Sequence, residues 1–128
     1  MKFQFFILYL VIQTTGTAQL IEPEVLVHLP AALHESSGVE ISDPNSIWTH
    51  NDSGDSARIY NIDTLGNIQR TILFDVDEAT DCEESTRDAA GNYYLGDFGN
   101  NANDRTNLRI YKIPDPDTLS ANTIIPQL

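Results

Sequence analysis

Beyond residue 18 the chain offers no place for an amphipathic helix. Apolar residues do not recur at helical spacing; they come in short alternating runs, each closed by Gly, Pro, Asn or Asp. That pattern is the signature of strands joined by tight turns. The runs are EVLVHL (24–29), SSGVEI (36–41), SIWTH (46–50), ARIYNI (57–62), IQRTILF (68–74), NYYLGD (92–97) and NLRIYKI (107–113), and NTIIPQL (122–128) begins another. ESTRD (84–88) is a weaker candidate for pairing. The breakers SDPNS, DTLGN, AAGN and PDPDT read as turns. The expectation is an all-β chain.

The runs also repeat. DPNSIWTHNDSGDSARIYNI is echoed by DAAGNYYLGDFGNNANDRTNLRIYKI, which aligns Asp52 with Asp97 and Arg58-Ile59-Tyr60 with Arg109-Ile110-Tyr111. A repeat of about 45–51 residues built from four short strands fits a propeller blade. We therefore expect a partial β-propeller over residues 35–128, of about two four-stranded antiparallel blades. Residues 19–34 would form an N-terminal strand and linker. Propellers close with about four to eight blades, so the ring is expected to need further C-terminal blades or assembly.

Residues 1–18 read as a secretory signal peptide: Lys2, an apolar run from Phe3 to Ile12, then Gly16-Thr17-Ala18 as a small-residue cleavage site. The run is shorter than a bilayer span, and no later stretch could cross, so no transmembrane segment is expected once the signal is removed. A secreted, periplasmic or cell-surface address follows. The net charge of −12 repels phosphates, which argues against a nucleic-acid partner, and attracts cations. Cys82 is the only cysteine, so no internal disulfide is available, and it is expected to be buried.

In an antiparallel blade, alternate connections fall on the same end. One end then collects HNDSGDSA, DVDEATDCEE and GDFGNNANDRT. These loops carry Asp52, Asp55, Asp75, Asp77, Glu78, Asp81, Glu83, Glu84, Asp97, Asn100 and Asp104. Asp81, Glu83 and Asp97 are the first candidates to hold Ca²⁺, which takes about six to eight oxygen ligands; Asp52, Asp55, Glu84, Asn100 and Asp104 belong to the surrounding ligand face. The competing reading is a solvated acidic surface. His50, alone at a strand end, is expected to pack rather than catalyse. Asp52-Ser53-Gly54 and Asp97-Phe98-Gly99 read as turns. Arg58, Arg87, Arg105 and Arg109 are expected to pair with acids between blades, and Trp48, Tyr60, Tyr93, Tyr94 and Tyr111 to pack there.

On these residues the chain resembles a family of exported bacterial β-propellers described as phytase-like, esterase-like or NHL-like. Asp81, Glu83 and Glu84, then Asp88, Gly91 and Asn92, match the family pattern. So do Tyr94, Gly96, Asp97, Gly99, Asn100 and Asn101, followed by Arg105, Ile110, Tyr111 and Pro116. The likeness extends upstream through ESSGVEISDPNSIWTHNDSGD and covers about residues 35–116. Cys82 stands where the family usually has Trp, and Ser85-Thr86 where it has Ile-Ala. The resemblance implies a propeller fold, with many members of unassigned activity. The expected function is a non-catalytic binding or scaffold module, with Ca²⁺ on the acidic face, for an unidentified ligand or protein. The alternative is a phytase-like, calcium-dependent phosphoesterase, in which metal-bound water attacks a phosphate ester.

Overall fold

The structure is a computed structural model that describes residues 21–76 and 81–127. The expected signal peptide, Asp77 and Glu78 lie outside the described residues.

A single 3-10 turn at Ala31–Leu33 precedes eight strands: β1 (Ser36–Asp43), β2 (Ser46–Asn51), β3 (Arg58–Ile62), β4 (Ile68–Phe74), β5 (Cys82–Arg87), β6 (Tyr93–Asp97), β7 (Arg109–Ile113) and β8 (Thr123–Ile124). They form two sheets, ordered β1-β2-β3-β4-β8 and β5-β6-β7. Every pairing is antiparallel except β8 on β4. The all-β expectation holds, and β1–β4 form one four-stranded meander. The two sheets do not close a ring. No helix among the described residues is long and apolar enough to cross a membrane.

Two hairpins use the same five-residue turn. In Asp63-Thr-Leu-Gly66-Asn67 the Asp carboxylate accepts the backbone N–H groups of Leu65 and Asn67 and the Asn67 amide. Asp88-Ala-Ala-Gly91-Asn92 repeats this with Ala90 and Asn92. Gly66 and Gly91 stand at φ 81° and 86°, where a side chain is strained. Both turns lie at the end away from the acidic loops.

Alternation along each strand sends one set of side chains between the sheets. The first sheet supplies Trp48, Ile59, Ile72 and Phe74, and the second supplies Cys82, Tyr93, Leu95, Tyr111 and Ile113. All are buried, Cys82 among them as expected. Phe74 meets Tyr111 edge to face at 6.0 Å, a favoured aromatic geometry. Trp48 Nε1 donates to Asp117 at 2.8 Å. The outer face of the first sheet is covered where Leu33 of the 3-10 turn packs with Tyr60 and Ile62. The outer face of the second is open: Tyr94, Gly96, Phe98 and Ile110 line a cavity of about 320 Å³ there.

Strand register corrects the alignment of the repeat. Thr49 lies opposite Tyr60, and Leu95 opposite Tyr111. Ser36 faces Asn51, and Cys82 faces Asp97. Asn51, not Asp52, is therefore the counterpart of Asp97. Each first strand carries an irregularity near its start, between Ser37 and Val39 and, one pair away in the register, between Cys82 and Glu84.

Two strand expectations fail. Residues 24–29 form no strand; Val25 and Leu26 are exposed and meet no sheet edge. The second sheet lacks a full fourth strand. Residues 123–124 run parallel to β4 on the first sheet, and only Gln127 bridges to Lys112 on the second.

Candidate cation site on the loop face

The three acidic connections meet as the alternation of strand ends requires. Ser53 bridges Asp81, Gly99 N–H donates to the Asp81 carbonyl at 3.0 Å, and Asp81 N–H donates to Asp97 Oδ1 at 2.9 Å. These backbone ties fix the loops to one another rather than leaving them separate in solvent.

They bring together Asp52, Asp81 and Glu83. One oxygen from each carboxylate lies within 4.8 Å of the other two. Gly99 supplies part of the floor. A Cβ there would collide with the Asp81 carboxylate and stand 2.6 Å from Glu83 Oε1, so both acids rest on bare backbone. Asp81 Oδ1 is buried and has no hydrogen-bond partner among the described residues. Burial pushes the Asp81 carboxyl above the usual range; the Asp52 charge adds to this and Arg105 opposes it. Glu83 is raised by burial and then by the charges of Asp52 and Asp81. Oxygen-only donors crowded against one another are relieved by a hard cation, and Ca²⁺ fits that chemistry.

Of the acids singled out from sequence, Asp81 and Glu83 stand together, while Asp97, which accepts the Asp81 N–H, is not one of the clustered carboxylates. Asp97 is fully buried in another network. Its Oδ1 receives Arg105 Nη2 at 2.7 Å, its Oδ2 receives Tyr111 OH at 3.3 Å, and Arg109 Nε approaches to 3.8 Å. Asp52 takes the third place in the cluster; its membership of the acidic loop face is the signal that could have found it.

The remaining face residues do local work. Asp55 accepts Tyr60 OH and Asn51 Nδ2 and pairs with Arg58 at 2.9 Å. Asn100 Oδ1 accepts the N–H groups of Asp104 and Arg105, closing its loop, and Asp104 is exposed. Glu84, also exposed, accepts the N–H of Ser85 at 2.9 Å.

Among the described residues, Arg58, Arg87 and Arg105 pair with acids of their own sheet and its loops rather than between blades. Arg58 holds Asp55, Arg105 and Arg109 hold Asp97, and Arg87 holds Asp115 and Asp117 at 2.6 and 2.9 Å. Asp117 also reaches the first sheet, because it accepts the Trp48 indole. His50 packs, fully buried, between the sheets.

No family model, curated protein or solved structure matches this chain.

Proposed function

We propose that this chain is a non-catalytic binding or scaffold segment of an exported β-propeller protein, and that its loop face binds Ca²⁺ through Asp52, Asp81 and Glu83. The convergence of these three carboxylates from two successive connections within 4.8 Å carries the reading. Two stacked antiparallel sheets, each with a bulge near the start of its first strand, support the blade assignment, and the signal-like leader supports export. A half-buried site with three carboxylates suits a dissociation constant of about 10⁻⁴–10⁻³ M, the range of extracellular calcium modules.

Calorimetric titration with Ca²⁺ tests the reading. Saturable heat that disappears in Asp81→Asn and Asp52→Asn is the expected result; a flat trace with the unaltered protein sinks it. Phosphate release from a generic ester, abolished by a chelator, would replace the non-catalytic reading with the phosphoesterase one. The arginines nearest the acids already neutralise Asp55 and Asp97, which disfavours their use as a phosphate clamp.

A further inference from the structure

One layer beneath the acidic loops, a second group of side chains converges on Gly38, in the bulge of β1. A Cβ on Gly38 would lie 2.7 Å from Ser85 Oγ, 2.8 Å from Glu84 Oε1 and 2.8 Å from His50 Nε2. Both sheets contribute, and the glycine makes room for all three groups.

The hydrogen bonding of this group is incomplete. His50 is 0% exposed. Its Nδ1 lies 3.0 Å from the carbonyl oxygen of Asn51. A carbonyl can only accept, so Nδ1 carries the proton and Nε2 presents a bare lone pair. Nε2 has no hydrogen-bond partner among the described residues. Glu84 Oε1, which borders the same space, already accepts the Ser85 N–H and is an acceptor too, so it cannot satisfy Nε2. A buried lone pair left alone is costly. A cation would take up the Nε2 lone pair together with a further lone pair of the Glu84 carboxylate.

We propose that His50 Nε2 and Glu84 Oε1, assisted by Ser85 Oγ, hold a first-row divalent cation of the zinc class. Imidazole nitrogen combined with carboxylate oxygen selects such an ion over Ca²⁺, and water completes the coordination. Glu84 is exposed and gives the route from solvent, while His50 is fixed in the sheet interface. The bound ion would join β2 to β5 and so tie the two sheets. The site shares no residue with the proposed calcium cluster and does not rest on it.

The test is calorimetric titration of the full chain with Zn²⁺ at pH 7, followed by Co²⁺ with visible absorption as the readout of ligand geometry. The expected result is a saturable site with Co²⁺ ligand-field bands. Glu84→Gln and His50→Gln should each weaken Zn²⁺ binding by about tenfold or more, while Asp81→Asn leaves it unchanged. The near-UV signal of Trp48 reports that each variant is folded, and the exposed Glu84 makes its variant the safer one. Absence of Zn²⁺ heat and Co²⁺ bands overturns the proposal and leaves only water at the site. Zn²⁺ binding that survives Glu84→Gln in full, or that falls with Asp81→Asn, overturns it equally.

Discussion

Tyr60 and Tyr111 hold the same place in consecutive sheets, yet the aspartate that receives each hydroxyl comes from a different point of the chain. Tyr60 donates to Asp55 of the β2–β3 loop at 2.7 Å, and Tyr111 donates to Asp97 at the end of β6 at 3.3 Å. In the first sheet the matching strand end carries Asn51, which donates to Asp55 instead of replacing it. The arrangement of arginine, tyrosine and acid is retained while the acid moves. Burial alone would raise the Asp55 carboxyl, but hydrogen bonds from Tyr60, Asn51 and Ser56 and the Arg58 charge hold it below its usual range.

Both tyrosines should resist ionisation. Burial, with the neighbouring aspartate, pushes Tyr60 and Tyr111 up to about 12. The unfolded chain releases these protons near pH 10. Their stabilisation is therefore complete below about pH 10 and lost as pH rises through about 12. Ultraviolet titration should show a late phenolate component that shrinks in Tyr60→Phe. That substitution should cost roughly 1 kcal/mol in urea unfolding for the lost hydrogen bond.

Asp97→Ala should be among the most damaging changes. It removes a fully buried carboxylate and leaves Arg105 and Tyr111 without their shared acceptor. Breaking a buried ion pair from one side costs about 3–5 kcal/mol, and we expect the lower part of that range because Arg105 keeps some solvent. Urea denaturation measures it. A loss of only a few tenths of a kcal/mol contradicts the network described.

Stability should fall on mild acidification through His50. Burial lowers its pKa in the folded chain below the ordinary 6.5. The unfolded chain then takes up the proton first as pH falls, so the contribution is complete above about pH 6.5 and lost below it, by at most about 1.4 kcal/mol per pH unit. Asp81 and Glu83, whose carboxyls are raised, act in the opposite sense at lower pH, because protonation relieves their crowding. Urea midpoints between pH 7 and 5 should slope in the unaltered protein and flatten in His50→Gln.

Two glycines separate backbone strain from crowding. Gly54 has φ 78° with no atom within 4 Å of a new Cβ, so Gly54→Ala should cost only the left-handed penalty, about 1 kcal/mol. Gly91 has φ 86°, and its Cβ would stand 2.7 Å from Asp115 Oδ2, part of the carboxylate that pairs with Arg87. Gly91→Ala should lower the melting temperature clearly more than Gly54→Ala; equal shifts contradict the described contact.

Strands whose residues alternate between core and surface were legible from sequence. IQRTILF became β4 at the same bounds, and the Arg-Ile-Tyr runs became β3 and β7. β5 was weak in sequence because CEESTR carries few apolar side chains; its backbone pairing with β6 and contacts with the first sheet define it instead. EVLVHL alternates as a strand should, yet finds no partner, and alternation alone supplies no hydrogen bonds. The Asp52–Asp97 alignment slipped because Asp-x-Gly resembles itself in both loops. Facing and register are set by cross-strand partners that a single sequence does not display. The loop face was legible from strand parity, but which carboxylates touch was not; Asp97 is engaged by Arg105 and Tyr111 instead.

Residues 122–127 pair with strands that precede them by many residues in the chain. Leu73 N–H bonds the carbonyl of Asn122 and Asp75 N–H that of Ile124, while Gln127 and Lys112 exchange both backbone bonds. During synthesis the outer edge of β4 therefore emerges long before its parallel neighbour. That edge stays open to pairing with other nascent chains until residues 122–127 arrive. The same few bonds then tie both sheets together, so a segment made later latches one that was made earlier.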